Sequence, residues 1–212
     1  MSLTTKFVIG LTGPIASGKS TVASMLAERG AELIDADGVV HEVEGPGTLE
    51  TAAIAARFGE GILAEDGSVN RSLLGRIALD DAIALADLEA IVRPVVRRRI
   101  QDRLDQSTNE VVVIEALKLR EGPLAKQVDS LWVVVAPAEC RLERLTTQRG
   151  LSAADANRRM AAQATESEQT AGADVVIVND GSLERLAEEV ARAWEGVMNG
   201  LAPRSTPRGE RS

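Results

Sequence analysis

Eight consecutive residues, Gly13-Pro14-Ile15-Ala16-Ser17-Gly18-Lys19-Ser20, fit GxxxxGK[ST] without a gap, the spacing of a backbone loop that receives phosphate. The chemistry dictates the residue types. Gly13 and Gly18 let the main chain turn tightly enough for its N–H groups to converge on anionic oxygens, a lysine reaches the β- and γ-phosphates, and a Ser/Thr hydroxyl ligates magnesium. Here Lys19 and Ser20 take the last two roles, with Ala16, Ser17 and Thr21 lining the nucleotide side and Thr12, just before the loop, assigned to substrate. Pro14 brings no N–H, and Ala16 stands where such loops often keep glycine. The alternative is a glycine-containing turn that carries Lys-Ser by chance; a strand before the loop and a helix after it argue for the phosphate reading.

A second group follows, Asp35-Ala36-Asp37, with His41 four residues on. Phosphoryl transfer needs an acceptor hydroxyl held in line with the γ-phosphate, a carboxylate to take its proton, and cations to spread the equatorial charge. Asp37 is assigned as that carboxylate. Asp35 points to the same side if the backbone stays extended, and is assigned to magnesium through water. Helix capping and turn formation are the plain alternatives for both. His41, the sole histidine, either orients substrate or is a packed or surface residue. Arg144 and Arg149 fall where a mobile lid closes over nucleotide, and guanidinium groups there stabilise the transferring phosphoryl; Arg158 and Arg159 are weaker candidates. With 24 basic residues, surface ion pairing is the ordinary alternative for any of them. Asn179 either reaches the adenine edge or makes an Asn turn. Arg97-Arg98-Arg99 reads as a solvated helix face and Cys140 as an ordinary helix residue.

These residues need elements to place them. Phe7 to Leu11, Val111 to Ile114, Leu131 to Val135 and Val175 to Val178 are short apolar runs with β-branched residues, of the kind found in parallel sheets, and Ala31 to Ile34 reads as a short second strand that delivers Asp35 and Asp37 at its end. Helical spacing lies between them: Lys19 to Arg29, stopped by Gly30; Arg141 to Arg149; a helix capped by Ser152 with Asp155; and a last one capped by Ser182 with the stripe Leu183, Leu186, Val190, Trp194, Val197. His41 to Gln106 is helical throughout, apart from a polar turn at Ala64 to Ser68. The pattern predicts an α/β fold: a doubly wound, mostly parallel five-stranded sheet with ligands at the strands' carboxyl ends. One domain over 1–200 is expected, with a helical substrate-binding insertion at about 41–106, a helical lid at about 141–168 and a disordered tail at 201–212.

Bulk properties agree. A chain of 212 residues, 44% of them hydrophobic, buries one full core. The balance of 24 basic to 32 acidic residues, net charge −8, excludes the basic footprint of non-specific nucleic-acid binding. One cysteine forms no internal disulfide, no CxxC offers a zinc site, and no apolar run approaches bilayer length. A cytoplasmic, unprocessed protein without a membrane segment is expected, as a monomer or small homo-oligomer.

A GTPase switch would want DxxG, which Asp35 to Gly38 supplies by spacing, and also a guanine-reading NKxD, which the chain lacks. A motor ATPase would want more room. The Asp35-Ala36-Asp37…His41 pattern instead resembles the DADxxxH/R motif of dephospho-CoA kinases, and the match runs on. Phe58-Gly59, Ile62-Leu63, Asp66-Gly67 and Asn70-Arg71 resemble FGxxIL…DGxxxR; Ile91 to Val95 is similar to IxHPxV; Gln163 with Ala173-Asp174 to Q…AD; Asn179 to Ser182 to NxGS. Leu117 to Glu121 departs from PLLFE, Arg93 stands for a His and Gln169 for a Lys. The resemblance implies transfer of the γ-phosphate of ATP, with Mg2+, to the ribose 3′-hydroxyl of dephospho-CoA, with Asp37 as base and Arg71 on the substrate side. Another small-molecule or nucleoside kinase is the alternative enzyme, and a nucleotide-dependent switch the alternative of another class.

Overall fold

Burial on both faces is what turns a β-branched run into a central strand. In the computed structural model, which describes residues 6–117, 119 and 123–200, the strands are β1 (Phe7–Thr12), β2 (Glu32–Asp35), β3 (Val111–Glu115), β4 (Ser130–Val135) and β5 (Val175–Val178). They form one sheet in the order β2-β3-β1-β4-β5. β1 runs parallel to β3 and β4, and β4 to β5. The helices are α1 (Lys19–Glu28), α2 (Ala36–Val43), α3 (Leu49–Phe58), α4 (Arg71–Asp80), α5 (Ala82–Gln106), α6 (Ala138–Thr147), α7 (Ala153–Ala161), α8 (Glu166–Thr170) and α9 (Leu183–Met198). The expected five-stranded α/β sheet is present. Because β1 is its middle strand, the loop leaving β1 opens at the crevice where strand order reverses, the usual ligand position of such sheets.

The chain divides into two compact units: one of residues up to 34 together with those from 107 on, the other Asp35–Gln106. In the first, Ile9, Leu11, Val113, Trp132, Val134 and Ile177 of the sheet share a core with Val22 and Leu26 of α1 and Leu186, Val190 and Val197 of α9. Trp132 is fully buried and its indole N–H donates to Ser130 Oγ at 3.0 Å, so the large ring carries no unpaired polar atom inside. Gly10 has a packing reason: a Cβ there would lie 2.4 Å from Leu119 Cδ2 and 2.9 Å from Val128 Cγ1. Two aspartates tie strand entries together. Asp129 accepts from Val8 N at 2.8 Å and Asp174 from Leu131 N at 2.7 Å, which gives the Ala173-Asp174 pair a structural role.

Three local expectations change. Leu183 is 61% exposed, so the core stripe of α9 starts one turn later, at Leu186; Leu183 follows the Ser182 cap directly, before the helix surface turns inward. α6 starts at Ala138, three residues before the expected Arg141. A further helix, α8, is opened by a capping box between Thr165 and Glu168. The tail 201–212 lies outside the described residues, as do Lys118, Arg120 and Glu121 of the segment that departs from PLLFE.

The second unit is helical. α5 packs against α2, α3 and α4, and the stretch between α3 and α4 holds a single antiparallel bridge, Leu63 to Val69, around the polar turn. Asp66 Oδ1 accepts from Ser68 N at 2.9 Å, and the Ser68 hydrogen bonds hold its carboxyl below the ordinary range. Thr48 caps α3 and Asn70 caps α4 through side-chain bonds to Thr51 N (3.0 Å) and Leu73 N (3.1 Å).

Candidate active site

β1 delivers the chain to Gly13, whose φ of +150° and surroundings admit no side chain, since a Cβ would lie 2.2 Å from Val134 O. Gly18 closes the loop at φ +96°, with a Cβ position 2.1 Å from Asn179 Nδ2. Ala16 takes φ +60°, the left-handed conformation that L-residues adopt at a cost. α1 then starts at Lys19. The first turn of a helix leaves its N–H groups without intrahelical acceptors, and the helix dipole favours an anion there.

The loop's carbonyls are tied back to the protein. Arg141 Nε donates to Ile15 O (3.0 Å), Arg144 Nη1 to Ala16 O (3.1 Å) and to Ser17 O (3.4 Å), and Asn179 Nδ2 to Ser17 O (2.9 Å). The braces brace one another: Arg144 Nη2 donates to Asn179 Oδ1 at 3.0 Å, and Gln163 Oε1 accepts from both Arg141 Nη2 and Ile15 N at 3.0 Å. Burial lowers the Arg141 guanidinium from its usual range, and Glu166 opposes the shift. Lys19 Nζ lies over the loop, donating to Gly13 O (3.1 Å) and Pro14 O (3.4 Å). Ser17 is fully buried, and among the described residues its hydroxyl has no hydrogen-bond partner.

Ser20 Oγ donates to Glu115 Oε1 at 3.2 Å. Glu115 was not among the residues singled out above. Its signal was available: it is the one acid ending the run Val111 to Ile114, on the strand that pairs with β1. Hydroxyl and carboxylate oxygens are hard donors of the kind Mg2+ accepts. Arg141 was also missed, and nothing in the sequence marks it.

Arg144 contacts the loop carbonyls of Ala16 and Ser17 and the side chain of Asn179. Asn179 is 6% exposed with both side-chain amide atoms engaged, which leaves neither pointing at an adenine edge. Thr12 is buried, its hydroxyl donating to Leu117 O at 3.1 Å, in place of an open substrate face. Arg149 is exposed beyond the end of α6, Arg158 pairs with Asp155, and Arg159 is exposed. Thr21 is exposed on the first turn of α1.

In the helical unit, Asp35 and Asp37 do not share an extended segment. β2 ends at Asp35, and Asp37 is the second residue of α2. The Asp35 carboxylate leans over that first turn: a Cβ on Gly38 would meet its Oδ2 at 2.7 Å. Asp35 takes the N-cap position, though without a side-chain capping bond. Asp37 is exposed, and its carbonyl lies 2.9 Å from His41 Nδ1 one turn on. His41 Nε2 meets Arg71 Nη1, and Arg71 Nε pairs with Glu44 Oε2 at 2.8 Å. Three of the residues assigned to substrate thus form one connected group with Glu44. Arg97 and Arg98 are exposed and Arg99 pairs with Glu42 at 3.6 Å, a solvated face as expected.

A parallel sheet whose middle strand feeds a braced GxxxxGKS loop, with a hydroxyl–carboxylate pair at the start of the following helix, is the architecture of a P-loop kinase. A model of the dephospho-CoA kinase family matches residues 7–185. Dephospho-CoA kinase from Symbiobacterium thermophilum is 44% identical over 91% of this chain and 82% of its own length. The solved structure of TT1252 from Thermus thermophilus superposes with a TM-score of 0.78 at 31% identity, covering 92% of this chain and 98% of the other. Dephospho-CoA kinase from Campylobacter jejuni gives 0.67 at 26% identity, over 93% and 100%. The chain belongs to the dephospho-CoA kinase family.

Proposed function

We propose that this enzyme transfers the γ-phosphate of ATP to the ribose 3′-hydroxyl of dephospho-CoA, the last step of coenzyme A biosynthesis, in the cytoplasm. The observation that carries the reading is the braced phosphate loop, with Lys19 and the Ser20–Glu115 pair, in a chain that matches this family over residues 7–185. The described residues contain no helix long and apolar enough to cross a membrane.

Chemically, the 3′-hydroxyl loses its proton to Asp37 as its oxygen bonds to the γ-phosphorus and the bond from that phosphorus to the ADP oxygen breaks. Lys19 and the amides at the loop's end hold the β- and γ-phosphates, and charge developing on them is met by groups already in place. Arg141, Arg144, Gln163 and Asn179 keep the loop in the shape that aims those amides. Arg149 and Arg159 belong to the stretch 141–168, which serves as lid. Ser20 and Glu115, with Asp35 through water, would hold Mg2+, which when bound draws charge from the phosphate oxygens. His41 and Arg71 orient the acceptor, which the helical stretch 41–106 receives. The whole of 1–200 acts as one kinase domain.

ADP release in a coupled assay, with dephospho-CoA compared against nucleosides and nucleoside monophosphates, tests this reading. Turnover that prefers dephospho-CoA supports it. Preference for another alcohol keeps the kinase and removes this acceptor, and nucleotide binding without turnover on any acceptor points to a switch.

A further inference from the structure

We infer that Glu44 is a positioning residue for the acceptor: it fixes the guanidinium of Arg71 so that this side chain offers its outer edge to an anionic group of the substrate. The inference rests on the acceptor-side role of Arg71 and His41 proposed above.

Glu44 is 7% exposed, and its Oε2 pairs with Arg71 Nε at 2.8 Å. Among the described residues that oxygen makes no aligned hydrogen bond. The Arg71 side chain keeps 42% of its exposure. One end of the pair is therefore inside and the other at the surface. The backbone holds both ends. Val69 N donates to Glu44 O at 3.0 Å, and Arg71, two residues after Val69, is the first residue of α4, whose cap Asn70 accepts from Leu73 N. Arg71 Nη1 meets His41 Nε2. His41 Nδ1 in turn faces the carbonyl of Asp37 at 2.9 Å. Among the described residues neither Arg71 contact uses Nη2. Nη2 is therefore a donor open to phosphate, and an arginine ion-paired on its Nε side and in contact at Nη1 presents it in a single direction.

Stability does not account for the arrangement. Removing a carboxylate from water costs about as much as its partner returns, so a buried ion pair is weak evidence of stabilisation. Holding a long, rotamer-rich side chain in one orientation is what the pair achieves, and that matters where a ligand must meet a fixed donor.

The test is steady-state kinetics of the full chain with ATP and dephospho-CoA, for Arg71→Ala, Glu44→Gln and the double variant, each checked by a thermal melt. Arg71→Ala is expected to raise the dephospho-CoA KM by about 10-fold or more, the value of a hydrogen bond to a charged group. Glu44→Gln is expected to raise that KM by about 3- to 10-fold while the ATP KM stays within about two-fold, and to add nothing to Arg71→Ala. Glu44→Asp, which withdraws the carboxylate by one methylene, should move the same KM if Glu44→Gln does not fold. An unchanged dephospho-CoA KM in the folded Glu44 variants overturns the inference, as does a Glu44→Gln effect that persists in full without Arg71. If Arg71→Ala alone leaves that KM unchanged while wild type turns over dephospho-CoA, the inference fails and the function stands. A wild type that ignores dephospho-CoA removes both.

Discussion

At the scale of single residues, the phosphate loop depends on side chains that hold its carbonyls from behind. Arg144 and Asn179 hold the same carbonyl, that of Ser17, and hold each other. Arg144→Ala and Asn179→Ala should each raise the ATP KM by about 10-fold, the cost of leaving a charged or buried partner unpaired, and the double variant should lose little more. Independent, multiplying effects would show that the two do not act as one brace. Glu44 makes a prediction about pH. Burial raises its carboxyl above the ordinary value of 4.5, with Arg71 and then His41 pulling it down. A carboxyl raised on folding binds its proton more tightly in the folded state, so its contribution to stability is fully present below 4.5 and declines as pH rises towards the folded value. Melts across this range should show Glu44→Gln gaining on wild type as pH increases. A difference independent of pH would contradict the raised carboxyl.

At the scale of elements, β1 carries the most constraint, since it is the sheet's middle strand and ends in the loop. Gly10→Ala forces a methyl into space filled by Leu119 and Val128, and overpacking of this kind costs about 1–3 kcal/mol. A chemical-denaturation midpoint lowered accordingly is expected; an unchanged one would mean that Leu119 and Val128 yield freely. Four of the five strands were legible as short apolar runs with β-branched residues bounded by turn or polar residues, and β2, where Ile34 is the one β-branched residue, by its place after the helix stop at Gly30. The break between Asp35 and Asp37 was not. A strand delivering both aspartates and a strand ending at the first look alike in sequence, and Ala36-Asp37-Gly38 carries no strong helix signal. The capping box of Thr165 and Glu168 does carry one, but α8 is too short to show an apolar stripe. Leu183 misled because an apolar residue just inside a cap fits the helical spacing without facing the core.

At the scale of the whole molecule, the family could be read from the order of individually weak motifs, whereas the braces of the site could not. Arg141, Arg144, Gln163 and Asn179 meet loop residues far away in sequence, and no local pattern records a meeting made by the sheet's topology. Glu115 was within reach, as the acid that ends a buried strand beside β1. The chain folds as two compact units, a parallel sheet with its loop and a helical body that starts at Asp35. Central to the proposed reaction is that Asp37 takes the proton of the dephospho-CoA 3′-hydroxyl as phosphate arrives. It is tested by single-turnover transfer from ATP to dephospho-CoA in wild type and Asp37→Asn, with ATP titrations and melts alongside. A 3′-phosphorylated product is expected from wild type, and in the folded variant unchanged ATP binding with a transfer rate lower by about 10²- to 10⁴-fold, the range that general-base catalysis supplies. Transfer at the wild-type rate by folded Asp37→Asn would contradict it.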